Sequence, residues 1–543
     1  MRHPKQITLT ILVATLIAAP MAHADTQRVI VATTTSLYET GLLDQLKTAF
    51  EATHPDIRVD FIPQGTGLAL ETARRGDAHM VIVHSPALEA QFLGEGYGLD
   101  RRILAYNFFT IVGPASDPAG VEGLDALEAL KRIAGAGGRG EALWVSRGDR
   151  SGTHVKELEL WDAAGVGSPA GGSWVVETGS GMTNTLRVAN ELGGYVLTDR
   201  ATYLRNAAQG LVSLIELVQP SKEMLNIYSS ILVNPPGQQP PEAARLFHGF
   251  LVGEEAQSII EHYGAEELGA NLFNAWVPRA GGGGEAAWVE ELGYINGSEC
   301  PPTHRLPANP SRGWATLTAS LRKAVTLLIG GDPTVARITL RSIYASGLAT
   351  LTASALGLPL SLALAVYKFP GRGKVKLLLN TLVGLPTVTL GLILYTLLST
   401  SGPLAPLGLL YTLEGVALGQ ALLVLPLVSS FALEVLEAKE REVGELLATL
   451  GASRLQSNLV LLREAAPGVL LSVLTGFNRA FAELGIAMML GGNIKGVSRV
   501  LTTTIALESS KGDLATSFAL SIVLLAVALT LNALAEEFRR ARL

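Results

Sequence analysis

Five long apolar runs near the end of the chain constrain its fold more than any other feature. They lie at about 345–367, 377–399, 415–436, 467–490 and 516–536, and few charged residues interrupt them. A helix needs about 20 apolar residues to cross the hydrocarbon core of a bilayer. The sequence therefore predicts an all-α membrane domain of five spans within residues 314–543.

Basic residues between the runs predict how this domain is oriented. Four lysines and arginines lie between Lys368 and Lys376, whereas the loop after the second run has none. Because short basic loops stay in the cytoplasm, the first loop and the C-terminus are predicted to lie inside. Lys495, Arg499 and Lys511 in the last outer loop are exceptions to this rule.

The first 24 residues have the layout of a secretory signal. Arg2 and Lys5 precede an apolar run at 7–19, and Ala22-His23-Ala24 follows. This pattern predicts cleavage after Ala24 and export of the segment that follows. Five spans with a cytoplasmic C-terminus place the start of the membrane domain on the same outer side, so the two arguments agree.

Residues 25–278 read as a two-lobed α/β domain. Short β-branched runs such as Val29-Ile30-Val31 alternate with helical segments, which favours parallel sheets with crossover helices. Two longer extended stretches, Ile103–Val112 and Leu225–Val233, are predicted to cross between the lobes and to border a hinged cleft. A glycine- and proline-rich segment at 279–313 then reads as a flexible linker that would span roughly 30 Å.

Composition excludes several classes of protein. The 48% hydrophobic and 17% charged residues suit a chain with soluble and membrane parts, and a net charge of −6 with no basic tract argues against nucleic acid. The single cysteine, Cys300, excludes an internal disulfide framework and a cysteine-based metal site. We expect no cofactor and no metal. The chain has no Gly-x-x-x-x-Gly-Lys-[Ser/Thr] run, so ATP hydrolysis by that route needs a separate subunit.

Small hydroxyl- and glycine-rich clusters precede several amphipathic helices of the N-terminal domain. A helix N-terminus offers unpaired N–H groups and a partial positive charge, and nearby hydroxyls add donors. One such cluster alone is usually an ordinary N-cap. Their repetition predicts an anion site in the cleft. The clusters are Thr33–Ser36, Gly65–Gly67, His84–Pro86, Ser151–Thr153 and Gly181–Thr183.

The run from Arg147 to His154 adds a cation to these clusters. Arg147 can offer a planar fork of donors to an oxyanion, and Asp149 can orient it or repel unsuitable anions. The alternative for Arg147 is a surface salt bridge. Ser151, Asp149 and His154 also raise a hydrolase alternative, which the absence of a Gly-x-Ser-x-Gly elbow argues against.

A charged stretch at 437–468 separates the third and fourth apolar runs. Apolar residues at helical spacing stop at Leu450, Gly451 interrupts the pattern, and a second amphipathic piece follows. This predicts two short helices joined by a glycine turn just outside the membrane; a surface hairpin without a partner is the alternative.

Arg479 and Glu483 lie four residues apart within the fourth run. Ionisable residues at membrane depth usually face the interior of a helix bundle. The pair is either part of an ion path or a structural ion pair.

The clusters together resemble a known family. Thr33–Ser36, Gly41–Asp44, Gln64–Gly67, Val83–Pro86 and Arg147–His154 resemble the tungstate-binding proteins of ABC importers over nearly all of 28–275, and the chain from about 315 onward resembles the cognate permease. The family normally supplies these parts as separate chains, so the sequence is a fusion. By motif match, the resemblance assigns ligand contacts to Thr34, Thr35, Ser36, Thr66, Gly67, Ser85, Arg147, Ser151, Gly152 and Thr153.

The resemblance also implies partners and a location. The 437–468 hairpin resembles the permease loop that lies in a groove of the ATPase subunit, which assigns coupling roles to Glu445, Leu450, Gly451, Ala452 and Ser453. It implies a permease homodimer, a cytoplasmic ATPase and contact with lipid, in a bacterial cytoplasmic (inner) membrane with the receptor in the periplasm. The ligand is expected to be tungstate, with molybdate or another oxyanion as the alternative. A membrane-anchored receptor that signals without transport is an alternative of a different class.

Overall fold

The computed structural model describes residues 26–169, 171–234, 239–276, 284–293, 318, 321–326, 330, 333–511 and 513–540. The predicted signal segment at 1–24 and most of the predicted linker lie outside these ranges.

Strands and helices alternate through the N-terminal domain. The strands are β1 (Gln27–Thr34), β2 (Ile57–Gln64), β3 (Met80–Val83), β4 (Gly98–Gly113), β5 (Trp144–Ser146), β6 (Val175–Glu177), β7 (Val196–Asp199), β8 (Ile215–Glu216), β9 (Leu225–Val233) and β10 (Asn274–Ala275). The helices are α1 (Thr35–Glu39), α2 (Leu42–Thr53), α3 (Thr66–Arg74), α4 (Pro86–Gly94), α5 (Ala126–Gly138), α6 (Gly152–Ala163), α7 (Met182–Leu192), α8 (Arg200–Ala208), α9 (Glu242–Phe250), α10 (Glu254–His262) and α11 (Ala265–Leu268); Lys222–Met224 is a 3₁₀ turn.

The two predicted crossover strands connect two lobes. The first lobe has the strand order β10-β4-β9-β3-β1-β2, in which β1 pairs in parallel with β2 and β3 while β9 is antiparallel to both β3 and β4. Beyond Phe108, β4 leaves β9 and pairs with β7 and β8 of the second lobe. The two-lobed α/β fold is confirmed, but its sheet is mixed rather than parallel.

A helix occupies part of the predicted linker. Helix α12 (Glu285–Gly293) packs on the two crossover strands, where Val289 is fully buried. A Cβ atom built on Gly293 would lie 2.7 Å from Ile103 Cδ1 and 3.2 Å from Ile227 Cδ1, so the backbone itself is in close contact with both strands. The prediction of a flexible coil across 279–313 is therefore wrong at 285–293, because an apolar face of this segment finds the hinge of the receptor lobes.

The membrane domain is helical, as predicted. Its helices are α13 (Pro333–Val366), α14 (Arg372–Val383), α15 (Thr387–Leu398), α16 (Leu413–Thr449), α17 (Arg454–Phe481), α18 (Gly485–Gly491), α19 (Leu501–Ser510) and α20 (Leu514–Arg540); Ala405–Leu407 is a 3₁₀ turn. Within the described ranges, four helices are long and apolar enough to cross a membrane, or up to five if α14 and α15 form one bent span.

Two predicted spans differ from the structure. The run at 377–399 bends by 100° between α14 and α15, at Gly384-Leu385-Pro386, because proline removes a backbone donor and clashes with the preceding turn. The run at 467–490 ends as a helix at Phe481 and resumes as the short helix α18 at Gly485. Apolar length alone could not reveal either break.

Candidate functional site

The predicted clusters lie where strands of each lobe end and helices begin. Thr34 ends β1 and caps α1, Thr66 begins α3 after β2, and Ser85 precedes α4 after β3. In the second lobe, Ser151 caps α6 after β5 and its hydroxyl accepts a hydrogen bond from His154 N at 3.3 Å. Since the carboxyl ends of parallel strands share one edge of a sheet, the clusters of each lobe face the cleft.

Direct contacts bring part of the predicted set together across the cleft. Ser36 Oγ lies 3.5 Å from Thr34 Oγ1 and 3.3 Å from His84 Nε2. Gly152 N of the second lobe donates to Thr66 Oγ1 of the first at 3.1 Å. The lobes therefore touch at the predicted site, and the hydroxyls meet two helix N-termini there.

Ser85 and Gly152 line a cavity of about 170 Å³ between the lobes. His84 and Asn226 also line it, and Leu292 of α12 closes part of its mouth. Thr153 is fully buried at the start of α6, and its Oγ1 has no hydrogen-bond partner among the described residues. Such a hydroxyl is an available donor next to Gly152, which lines the cavity.

Arg147 is buried rather than exposed at the surface. Its Nε and Nη2 donate to Asp149 Oδ2 at 3.1 and 2.6 Å, and Asp149 Oδ1 accepts from Ser151 N at 3.0 Å. Burial raises the pKa of Asp149, but Arg147 and Ser151 outweigh this effect and hold it below its ordinary value. Asp149 therefore stays ionised and orients the arginine beside the clusters.

Two predicted residues lie apart from these contacts. Thr35 is half-buried in the first turn of α1, and within the described ranges no hydrogen bond joins it to the other clusters. A Cβ atom built on Gly67 would lie 3.4 Å from the carbonyl oxygen of Lys511, so Gly67 faces the membrane domain.

Sequence reasoning missed a buried polar network behind the cleft. His84 Nδ1 lies 2.9 Å from Asn226 Oδ1, and Asn226 Nδ2 donates to Asp199 Oδ2 at 2.7 Å. Tyr228 and Asn107 also donate to Asp199 Oδ2. Burial lowers the pKa of His84 despite the opposing charge of Asp199, so the imidazole is neutral near pH 7. Polar side chains within the fully buried strand β9 were the available signal.

The hydrolase alternative has no support in this geometry. Ser151 Oγ caps α6, and His154 Nδ1 accepts from Arg150 N at 2.9 Å instead of facing a serine hydroxyl. The three residues form a helix cap and not a catalytic triad.

The 437–468 segment is a helical hairpin, as predicted, but its arms continue the flanking spans. Helix α16 runs on to Thr449, Gly451 turns with φ +72°, and Ser453 forms a capping box with Gln456 at the start of α17. Both arms carry strongly exposed leucines, at Leu446 (58%), Leu450 (72%), Leu455 (70%) and Leu459 (59%). A run of exposed apolar side chains of this kind marks an interaction surface.

Comparison with known proteins divides the chain at the same place as its structure. Residues 20–255 match the model of the PBP superfamily domain, and residues 357–541 match the binding-protein-dependent transport system inner membrane component. Tungstate-binding protein TupA of Peptoclostridium acidaminophilum is 39% identical over 250 residues, which are 45% of this chain and 84% of that protein. Tungstate uptake system permease protein TupB of the same organism is 36% identical over 217 residues, 40% of this chain and 95% of that protein. The chain fuses a TupA-family receptor to a TupB-family permease.

A third relative repeats the receptor match. Tungstate-binding protein TupA of Campylobacter jejuni subsp. jejuni is 36% identical over 199 residues, 36% of this chain and 71% of that protein. The predicted fusion of the two families is confirmed.

The receptor rests on the permease through both lobes. Gly65 and Gly67 of the first lobe lie against Ser510 and Lys511, and the second lobe adds hydrogen bonds. The Glu177 carboxylate forms an ion pair with Lys495 Nζ at 2.9 Å, and the Glu177 carbonyl oxygen accepts a hydrogen bond from Arg499 Nη2 at 3.2 Å. Asn493 Nδ2 donates a hydrogen bond to Gly179 O at 2.8 Å. Gly179 has φ +53°, and a Cβ atom there would lie 2.7 Å from Arg499 Nη2, so only glycine fits. Its N–H donates to Arg147 O at 2.7 Å. Residues 177–179 therefore contact both the Arg147 loop and the permease.

The docked receptor and the hairpin lie at opposite ends of α16. The receptor contacts the loop before α16, where Glu191 accepts from Thr400 N at 2.7 Å. The hairpin begins where α16 ends, and 37 helical residues span about 55 Å. This length exceeds the thickness of a bilayer, which suits a receptor on one side and the hairpin on the other.

Arg479 and Glu483 form an ion pair, with Nη1 to Oε2 at 2.6 Å. The Glu483 side chain is buried and its Oε1 also accepts from Ile486 N at 3.3 Å, capping α18. These contacts favour the structural alternative, and a role in an ion path stays a prediction.

Proposed function

We propose that this chain is the receptor and the permease of an ABC importer for tungstate. The observation that carries the proposal is the meeting of hydroxyls and helix N-termini from both lobes around Thr66 and Gly152, in a receptor docked on its own permease. Relatives that bind tungstate and that take it up match the two halves of the chain.

The cleft suits a tetrahedral dianion. Thr34, Ser36, Thr66, Ser85 and Arg147 supply hydroxyl and guanidinium donors, and the N-terminus of α6 adds its partial positive charge. Asp149 accepts from Arg147 and carries a charge that disfavours anions unable to match this set of donors. We assign ligand contacts to the remaining predicted residues as well, namely Thr35, Gly67, Ser151, Gly152 and Thr153.

The permease half works with partners. We assign the exposed hairpin, including Glu445, Leu450, Gly451, Ala452 and Ser453, to the groove of a separate cytoplasmic ATPase, because exposed leucines on a helix suit a helix-in-groove contact. The complete transporter is a permease homodimer in the lipid of the bacterial inner membrane, with its receptors in the periplasm. Residues 25–278 form the receptor, 279–313 the linker, which contains the helix α12, and 314–543 the permease, after removal of a signal peptide at 1–24.

Competition binding tests this function. Tungstate, molybdate, sulfate and phosphate are titrated against the full chain in lipid nanodiscs by calorimetry. We expect tungstate to bind far more tightly than sulfate or phosphate. Tighter binding of phosphate would overturn the assignment, and equal binding of molybdate would broaden it to both metallates. Uptake by vesicles that also contain an ATPase subunit separates an importer from a receptor that only signals.

A further inference from the structure

A second cavity lies between the receptor and the permease, outside the ligand cleft. Its volume is about 430 Å³, and it is lined by Glu177 of the receptor, the first turns of α13, the loop after α18 and the end of α19. Five of its lining side chains are cationic: Arg337, Arg341, Lys495, Arg499 and Lys511.

The cations outnumber the carboxylates of this cavity. Lys495 pairs with Glu177 and Lys511 pairs with Glu508, each at 2.9 Å. Within the described ranges, no carboxylate lies at ion-pair distance from the three arginines. Arg499, which is 7% exposed, donates instead to the carbonyl oxygens of Asn493 and Glu177 at 3.1 and 3.2 Å, and Arg341 is half-buried. Partly desolvated cations that two carboxylates do not balance are costly, so the excess positive charge points to an anion in the cavity.

A smaller cavity lies beside this one, against the receptor loop that carries Arg147. It has a volume of about 240 Å³ and shares Glu177, Lys495 and Lys511 with the larger cavity. Its other lining residues include Arg150 and His154, which follow Arg147 in the receptor loop. Arg150, Lys495 and Lys511 therefore place basic groups between the receptor loop and the first turns of α13.

The cavity also accounts for an anomaly in the sequence. Lys495, Arg499 and Lys511 lie in an outer loop, where the positive-inside rule disfavours them. All three line this cavity, so binding an anion gives them a role that membrane topology does not.

We propose that this cavity is a second binding site for a tetrahedral oxyanion, held by Arg341 and Arg499 between the receptor and the permease. Planar guanidinium groups suit such anions because they donate pairs of hydrogen bonds. Two sources supply this chemistry: tungstate released by the receptor, which rests on the proposed function, and the phosphate of a phospholipid headgroup. If the anion is tungstate, the ion is held at this site between its release from the receptor cleft and its entry into the path through the permease.

The test counts tungsten per chain. Full-length protein in nanodiscs is dialysed against sodium tungstate, and bound tungsten is measured by mass spectrometry of the element. Wild type is expected to bind one ion tightly and a second more weakly. Arg147→Ala weakens the tight site, and adding Arg341→Gln removes the weak site, whereas adding Arg132→Gln, which takes one exposed cation from the receptor, leaves the weak site in place. Arg341→Lys is expected to restore part of the weak binding.

The outcomes separate the sources and the two proposals. If Arg341→Gln leaves tungsten unchanged but releases a phospholipid that native mass spectrometry finds on wild type, the anion is the lipid phosphate. If Arg341→Gln changes neither the amount of bound tungsten nor the bound phospholipid, the second site does not exist, although the proposed function stands. If wild type binds no tungsten at the tight site, the proposed function fails whatever the lipid result. Measurements of tungstate uptake separate the two proposals further. Arg341→Gln is expected to lower uptake without weakening tungstate binding at the tight site.

Discussion

Arg147 is already paired in the cleft. Both of its donating nitrogens in the described contacts bond to Asp149, and both side chains are buried. The pair carries no net charge, so its contribution to anion binding comes from the fixed direction of its donors and from the proximity of the cation to the ligand. Removing one partner leaves the other charge buried and unpaired.

Arg147→Ala is expected to weaken tungstate binding by about 2–5 kcal/mol, because it removes a donor and exposes the ligand to Asp149. Calorimetry on the full chain measures the loss. The double variant Arg147→Ala/Asp149→Ala should recover part of it, whereas Arg139→Ala, which breaks an exposed pair with Glu141, should change nothing. An affinity unchanged in Arg147→Ala would remove this residue from the site.

Glu157 makes the stability of the second lobe depend on pH. It accepts from Trp144 Nε1 at 2.9 Å, and burial raises its pKa to about 7, with smaller contributions from Asp149 and Glu177. A raised pKa favours the folded state while the carboxyl is protonated, and this contribution is lost as pH rises from the ordinary carboxyl pKa through about 7.

We therefore expect the free energy of unfolding of this lobe to fall by about 3 kcal/mol between pH 4.5 and pH 8 on account of Glu157. Glu157→Gln should flatten this dependence, while Glu159→Gln, on the exposed side of the same helix, should preserve it. Denaturation at several pH values, followed by tryptophan fluorescence, measures the difference. Equal pH profiles for wild type and Glu157→Gln would contradict the assignment.

Helix α12 connects the linker to the receptor hinge. The carbonyl oxygen of Gly293 accepts from Arg101 Nη1 at 2.6 Å, and Arg101 Nε donates to the buried Glu89 at 2.7 Å. Glu89 in turn accepts from Ser85 N at 2.7 Å. The end of the tether is thus connected through two buried side chains to a predicted ligand contact.

Val289→Asp is expected to release α12, destabilise the receptor by about 2 kcal/mol and weaken tungstate binding, because a buried apolar contact with the hinge is lost. Ala287→Asp places the same charge on the exposed side of the same helix and is the control. Thermal unfolding and tungstate titration measure the two effects. If both variants bind like wild type, α12 is only a spacer.

Sequence patterns predicted the strands and helices better than the contacts that these elements make. Leu225–Val233 was predicted with the bounds that β9 has, because a buried run of that length is distinctive. The positions of Asn226 and Tyr228 in a network with Asp199 could not be predicted, since the partners come from distant strands. Likewise, apolar length predicted the run at 377–399 but not its bend, and the glycines around α12 concealed its contact with the hinge.

At the scale of the whole molecule, one chain carries the receptor and its docking surface. A short flexible tether typically gives two linked binding partners an effective concentration around the millimolar range. Because α12 packs on the receptor, the tether that determines this concentration begins only after Gly293. The tethered receptor is therefore expected to meet the permease without free diffusion between docking events.

Separating the chain after Gly293 is expected to preserve tungstate affinity and to lower uptake at low expression, because docking becomes bimolecular. Separating it after Pro278 should also weaken binding, since α12 then stays with the permease. Uptake and binding are measured with both pairs at equal copy number. A pair separated after Gly293 that matches the fusion at the lowest expression would show that the tether contributes nothing.

Residues 177–179 hydrogen-bond both the Arg147 loop and the permease loop at 493–499. Thermodynamic reciprocity applies to any such shared segment: if a bound ion strengthens docking by some factor, docking strengthens ion binding by the same factor. In a tethered receptor that stays largely docked, the measured affinity is then that of the complex. Unloading the ion from a docked receptor therefore requires a permease state in which docking no longer strengthens ion binding.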